Sequence, residues 1–283
     1  MCRLFGLTAG GARVRATFWL IDAPDSLRAQ SHRNADGAGL GFFDPAGEPV
    51  LDKQPEAAFR DQEFTHEARQ AASSAFVAHV RFATTGGRTV QNTHPFSMAG
   101  RIMAHNGGFG ELAQLDTQLG SYRDLVLGDT DSERYFALIT QQTDAHGGDV
   151  GAGITAAASW IAARLPVSSL NTIVAAPGEL WALRYPDQHA LHVLERPAGS
   201  SQGGTEGLHV HSSMSSVHVP GLSDAASVVV ASERLDGESG WRMLAPGELL
   251  HVRGDLSVHS QIALPQPPAH LVPLPAGNPN IDT

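Results

Sequence analysis

The N-terminal stretch Met1-Cys2-Arg3-Leu4-Phe5-Gly6-Leu7-Thr8 holds the only cysteine of the 283 residues, directly after the initiator. Cysteine has a small side chain, which suits aminopeptidase removal of Met1 and makes Cys2 the expected N-terminus. A terminal cysteine carries a thiol with an ordinary pKa of about 8.5 and, one carbon away, an α-amine with one of about 7.7–8.0. The amine can then serve as the base that the thiol needs, without a histidine partner. The same residues read as a short strand from Cys2 to Thr8 entering a turn at Gly10-Gly11, which seats Cys2 at a sheet end. A lone cysteine is more often a small buried hydrophobe than a nucleophile, so the rest of the chain has to decide.

Composition narrows the possibilities. With 19 basic against 29 acidic side chains the formal net charge is -10, which opposes a phosphate backbone or an anionic membrane surface. Neither nucleic acid nor a membrane is an expected partner. The length suffices for one large domain or two small ones. No apolar run approaches the roughly eighteen residues needed to cross a bilayer, and the N-terminus has neither a basic n-region nor a long apolar h-region, so no secretory signal is expected. One cysteine permits no internal disulfide and suits a reducing compartment, so a cytoplasmic location is expected.

Working outward, the run from Gln30 to Phe43 is dense in glycine, but the spacing of Gly37, Gly39 and Gly41 fits neither a dinucleotide fingerprint nor a phosphate loop. Alternate glycines admit another backbone or a ligand, and a bulged hairpin strand with nothing bound is the commoner case. After a polar helix expected over Pro55 to Ala72, the residues Ala75 to Thr84 alternate like a half-buried strand and deliver Arg81 toward Thr84-Thr85-Gly86-Gly87. The planar fork of an arginine matches a carboxylate, although an isolated arginine usually serves a surface salt bridge. A second strand, Gly100 to Gly108, ends in Asn106-Gly107-Gly108 and can present an amide and a backbone N–H side by side, the donors of an oxyanion hole; an Asn-Gly turn is the plainer reading.

Gly128-Asp129-Thr130-Asp131-Ser132-Glu133 opens a helix running to about Asp144, where Asp131 is either the N-cap or a partner for an ammonium group. A second helix spans Asp149 to Leu165. Strands follow over 170–175, 179–184, 189–195, 209–213, 227–231 and 248–252, which together indicate an α+β fold of antiparallel sheets covered by helices. The Gly- and Ser-rich residues between Pro197 and Gly207, and again from Ser212 to Ala226, read as a long hairpin with a mobile tip, and those from Pro265 onward as an extended tail. His209, His211 and His218 lack the companions of a zinc site, so no metal is expected.

Singly, each of these features favours its plainer reading. Together and in order, Met1-Cys2-Arg3, Asp36-Gly37-Ala38-Gly39-Leu40-Gly41, Arg81-Phe82-Ala83-Thr84, Asn92-Thr93-His94-Pro95-Phe96, His105-Asn106-Gly107 and Thr130-Asp131-Ser132-Glu133 resemble the glutaminase domain of the class II glutamine amidotransferases, which are N-terminal nucleophile hydrolases. The resemblance implies a four-layer αββα sandwich, with a domain over residues 1–258, Met1 removed, and a Pro-rich tail over 259–283. It implies an amidohydrolase needing no cofactor, with Cys2 as nucleophile and Asn106 and Gly107 as the oxyanion hole. Arg81 would hold the α-carboxylate of a small γ-glutamyl substrate, Asp131 its α-ammonium, and Thr84 would line the pocket.

Asn34-Ala35-Asp36-Gly37 and Ala231-Ser232-Glu233-Arg234-Leu235-Asp236 with Trp241 are similar to stand-alone members, including the amidohydrolase of ergothioneine biosynthesis. Ala38 stands where those proteins usually have tryptophan, which leaves the leaving group open. After about residue 255 only the tail is expected, too short for a synthase domain that would use ammonia. Hydrolysis of a γ-glutamyl amide other than glutamine is therefore favoured over ammonia supply to a separate synthase subunit. A non-catalytic glutamyl-binding protein and, more weakly, a thiol switch remain as other classes.

Overall fold

Strand β1 (Arg3–Thr8) is buried along its whole length and lies at the centre of a seven-stranded sheet. One neighbour is β4 (Ala75–Val80), followed by β2 (Ala38–Phe43) and β3 (Pro49–Gln54). The other is β10 (Ser227–Ala231), followed by β9 (His192–Arg196) and β11 (Arg242–Met243). Every pairing in this sheet is antiparallel. The computed structural model describes residues 2–82, 87–199 and 225–274.

The second sheet runs in the order β13 (Val258–Ile262), β12 (Glu248–Val252), β8 (Glu179–Leu183), β7 (Pro166–Ala176), β6 (Arg101–Phe109) and β5 (Phe96–Met98). Its path is antiparallel throughout, and the short β14 (His270–Leu271) joins β7 in parallel at Pro166 and Val167. Residues 259–274, expected as the start of a tail, thus carry β13 and β14.

Alternation along the strands creates the layers, because successive side chains point to opposite faces. Phe5, Leu7, Phe76 and Ala78 pack outward against Trp19, Leu20, Leu27 and Phe64. Those come from a helical turn at Phe18–Asp22, from α1 (Leu27–Gln30) and from α2 (Gln62–Gln70). Leu4 and Val77 point inward and meet Ile102, Ala104 and Ile173 of the facing sheet. On the far side Met103, Val174 and Leu183 pack against Tyr135, Phe136, Ile154 and Ile161, carried by α4 (Asp131–Ala145) and α5 (Val150–Arg164), with α3 (Leu112–Leu119) beside them. The result is the four-layer αββα sandwich, and no helix among the described residues is long and apolar enough to cross a membrane.

Local chemistry sets the helix starts. Asp61, Thr130 and Asp149 each accept a backbone hydrogen bond from the residue three positions on, a contribution of about 1 kcal/mol apiece. The cap at Asp61 starts α2 later than the expected Pro55. Thr130 caps α4, so Asp131 is the first helical residue and not the N-cap.

Two further expectations are corrected. β6 does not end in a turn at Asn106-Gly107, because β7 continues the ladder through Asn106↔Asn171, Gly107↔Leu170 and Gly108↔Ser169. The glycine-dense β2 pairs in regular register with β3 and β4 and has no bulge. Its glycines admit backbone: a Cβ on Gly39 would collide with the His94 carbonyl oxygen.

Candidate active site

Extending the β1–β4 register beyond Arg3↔Val80 by one residue sets Cys2 opposite Arg81. The Phe82 backbone N–H donates to Cys2 Sγ at 3.3 Å, and the thiol lies 3.5 Å from the Phe82 carbonyl oxygen. The strand end is anchored from β2, since Arg81 N donates to Gly37 O (2.7 Å) and Asp36 N donates to Arg81 O (3.0 Å). Burial pushes the half-buried Cys2 thiol up from its ordinary pKa, and the Phe82 N–H with the Arg81 and Arg3 guanidinium groups partly offsets it. A thiol so placed needs a base before it can attack.

The Arg81 side chain is 4% exposed, and its Nη1 donates to Gly87 O at 3.1 Å. Asn92 Nδ2 donates to the same oxygen at 3.2 Å. The start of β1 is fixed from the far end of the chain: Leu4 N donates to Ser232 Oγ (2.8 Å), Ser232 N donates to Leu4 O (3.1 Å), and Arg3 pairs with Glu233. Sequence reading gave Ser232 and Glu233 no role, although their motif carried part of the resemblance.

Asn106 and Gly107 come from the opposite sheet. Ile102 lies against Gly41, the β4 partner of which is Val77, and the His105 backbone lies against His79. Two residues beyond His79, just past the end of β4, is Arg81, so the Asn106-Gly107 step of β6 reaches the level of Cys2 and Arg81. Asn106 is 3% exposed, and its side-chain Nδ2 has no hydrogen-bond partner among the described residues. A buried amide with an unspent donor costs roughly 1–3 kcal/mol unless something completes it. Ser169 Oγ holds the Asn106 carbonyl at 3.1 Å, and a Cβ on Gly107 would collide with the Ser169 carbonyl oxygen. Only glycine fits there.

Asp131 is 6% exposed. Its Oδ2 accepts from Phe109 N (3.2 Å) and its Oδ1 from Ser132 N (2.9 Å), which fixes the carboxylate at the positive end of α4 and beside Gly108. Thr84 lies outside the described residues, as do His209, His211, His218 and residues 200–224 of the expected hairpin.

Sequence reading missed a buried histidine cluster beneath these groups. The His79 and His94 rings lie 4.2 Å apart, and no hydrogen bond of normal geometry reaches any of their four ring nitrogens among the described residues. Burial, with Arg81 and His105 nearby, pushes His79 down to about 3; burial and His79 push His94 well below its ordinary value. Both rings are neutral at pH 7. His105 Nε2–H donates to Ser169 O (3.1 Å), which leaves Nδ1 to accept from Ser132 Oγ (2.9 Å). The available signal was the alternation of Ala78-His79-Val80-Arg81, which puts His79 on the face of Arg81.

Two facing antiparallel sheets between helical layers, with a cysteine leading the central strand of one, form the architecture of the N-terminal nucleophile hydrolases. The chain belongs to the class II glutamine amidotransferases, the family that its residues 1–271 match. It is 37% identical over 117 residues to the gamma-glutamyl-hercynylcysteine sulfoxide hydrolase of Mycobacterium tuberculosis, a match covering 38% of this chain and 49% of that one. YafJ of Escherichia coli, a glutamine amidotransferase by name, is 28% identical over 227 residues, covering 75% of this chain and 83% of YafJ. The chain thus spans about half the length of the mycobacterial relative. Among solved structures, the glutamine phosphoribosylpyrophosphate amidotransferase of B. subtilis superposes with a TM-score of 0.63 at 19% identity, over 94% of this chain and 50% of that one. That likeness concerns the fold.

Proposed function

We propose that this chain, once Met1 is removed, is an amidohydrolase that cleaves glutamine or another γ-glutamyl amide through a thioester on Cys2 and releases glutamate. The observation that supports the reading is Cys2 beside Arg81, at the level of an Asn106 amide whose Nδ2 has no partner among the described residues.

The Cys2 sulfur attacks the γ-carbonyl carbon while its proton passes to the residue's own α-amine. Charge developing on the carbonyl oxygen is met by Asn106 Nδ2 and the Gly107 N–H, donors set in place before the reaction begins. The C–N bond then breaks, and the leaving amine takes the proton held by the α-amine. Water, losing a proton to the same amine, attacks the thioester carbonyl and frees glutamate and the thiol. Arg81 binds the α-carboxylate by its fork and Asp131 the α-ammonium, with Thr84 lining the pocket.

Glutamate release, measured by mass spectrometry from glutamine and a panel of γ-glutamyl amides, tests the reading. Preference for a γ-glutamylated amine or thiol compound is expected and makes the chain a dedicated hydrolase. Preference for glutamine makes it the ammonia source of a separate synthase. Glutamate released from no member of the panel contradicts the proposal and favours a binding protein.

A further inference from the structure

The β6–β7 ladder skips one residue beside the site. Gly108 pairs with Ser169 and Phe109 with Val167, so Ser168 is the extra residue of a β-bulge. Bulges next to sites re-aim groups that a regular ladder would consume. Here the peptide unit joining Gly108 to Phe109 is held from both sides: Ser168 Oγ donates to its carbonyl oxygen at 2.9 Å, and its N–H donates to Asp131 Oδ2 at 3.2 Å.

Ser168 is itself held by Gln188, which lies in the connection after β8. Gln188 Nε2 donates to Ser168 O (2.7 Å) and to Val272 O (3.0 Å), and Gln188 Oε1 accepts from Leu274 N (3.0 Å). The segment carrying Val272 is strapped down along its length. Tyr185 Oη donates to Gln266 O (3.0 Å), Ala269 N to Ala162 O (2.8 Å) and Val272 N to Val167 O (2.8 Å). One side chain therefore joins this strap to the bulge that orients Asp131.

We infer that Gln188 is a positioning residue for recognition of the substrate α-ammonium, acting through Ser168 and the Gly108–Phe109 peptide on Asp131. The inference rests on the proposed role of Asp131. Loss of the Gln188 hydrogen bonds frees the bulge and lets the carboxylate rotate away from the position that an ammonium group requires. Asn106 is spared, because Ser169 Oγ holds its carbonyl independently.

The test uses Gln188→Met, which keeps length and flexibility and removes the hydrogen bonds, and Asp131→Asn as a reference. Affinity for L-glutamate and for glutarate, which lacks the amine, is measured by calorimetry on the full chain in a Cys2→Ala background. KM and kcat for a γ-glutamyl amide are measured with Cys2 intact. The expected result is a three- to tenfold weaker affinity for glutamate with glutarate unaffected, and a matching rise in KM with kcat within twofold. Equal losses for both ligands, a fall in kcat alone, or no change in Gln188→Met overturns the inference. If Asp131→Asn weakens glutamate binding and Gln188→Met does not, the strap inference alone fails. If neither variant separates glutamate from glutarate, the reading of the pocket fails with it.

Discussion

Cys2 Sγ lies 3.3 Å from the backbone nitrogen of Phe82, the residue that follows Arg81. The thiol and the guanidinium are therefore referenced to the same short piece of chain just past the end of β4. Any shift of that strand end moves the nucleophile and the carboxylate-binding group together, and Gly37 and Asp36 pin it from the neighbouring strand.

Asn106→Ala separates catalysis from stability. The Asn106 Nδ2 has no partner among the described residues, so its removal leaves none of their groups newly unsatisfied. We predict a fall in kcat of about a hundred- to a thousand-fold with KM little changed. The Tm should move by less than the roughly 2–4 °C that 1 kcal/mol produces in a domain of somewhat smaller size. A stability loss as large as that of a core truncation would show that the amide serves packing.

Arg81→Lys keeps the charge and removes the planar fork. The variant should raise KM at least about tenfold, equivalent to roughly 1.4 kcal/mol, with a smaller effect on kcat. Unchanged KM in steady-state kinetics would remove Arg81 from substrate binding and leave it the structural partner of Gly87.

Acid sensitivity follows from the buried histidine pair, His79 and His94. His79 is held neutral in the fold down to about pH 3, whereas an unfolded histidine takes a proton near 6.5. Between those values the unfolded chain binds more protons, so this contribution is full above about 6.5 and is lost as pH falls toward 3. Urea unfolding at pH 4, 5 and 7 should show a shallower pH slope in His79→Phe than in the parent, by up to about 1.4 kcal/mol per pH unit. Equal slopes would mean that His79 does not titrate on unfolding.

Much of this was legible in the sequence because it depends on period. Alternation along Ala75 to Thr84 marked the strand that delivers Arg81, and the Thr130 to Glu133 motif marked the start of α4. What escaped depends on partners distant in the chain. β3 is half-exposed and charged at Asp52 and Lys53, so it lacks an apolar signature and is a strand because β2 pairs with it. β6 continues through two glycines because β7 absorbs the irregularity at Ser168. The Gln188 link joins residues more than eighty positions apart, a distance that no local pattern encodes.

The most direct test is rapid quenching of the protein with a turned-over γ-glutamyl amide, followed by mass analysis of the N-terminal peptide, beside glutamate release by Cys2→Ala. The account predicts a peptide beginning at Cys2 that carries a glutamyl group, and a Cys2→Ala protein that binds glutamate but releases none. A fully active protein that retains Met1, or a Cys2→Ala variant with unchanged turnover, would contradict it.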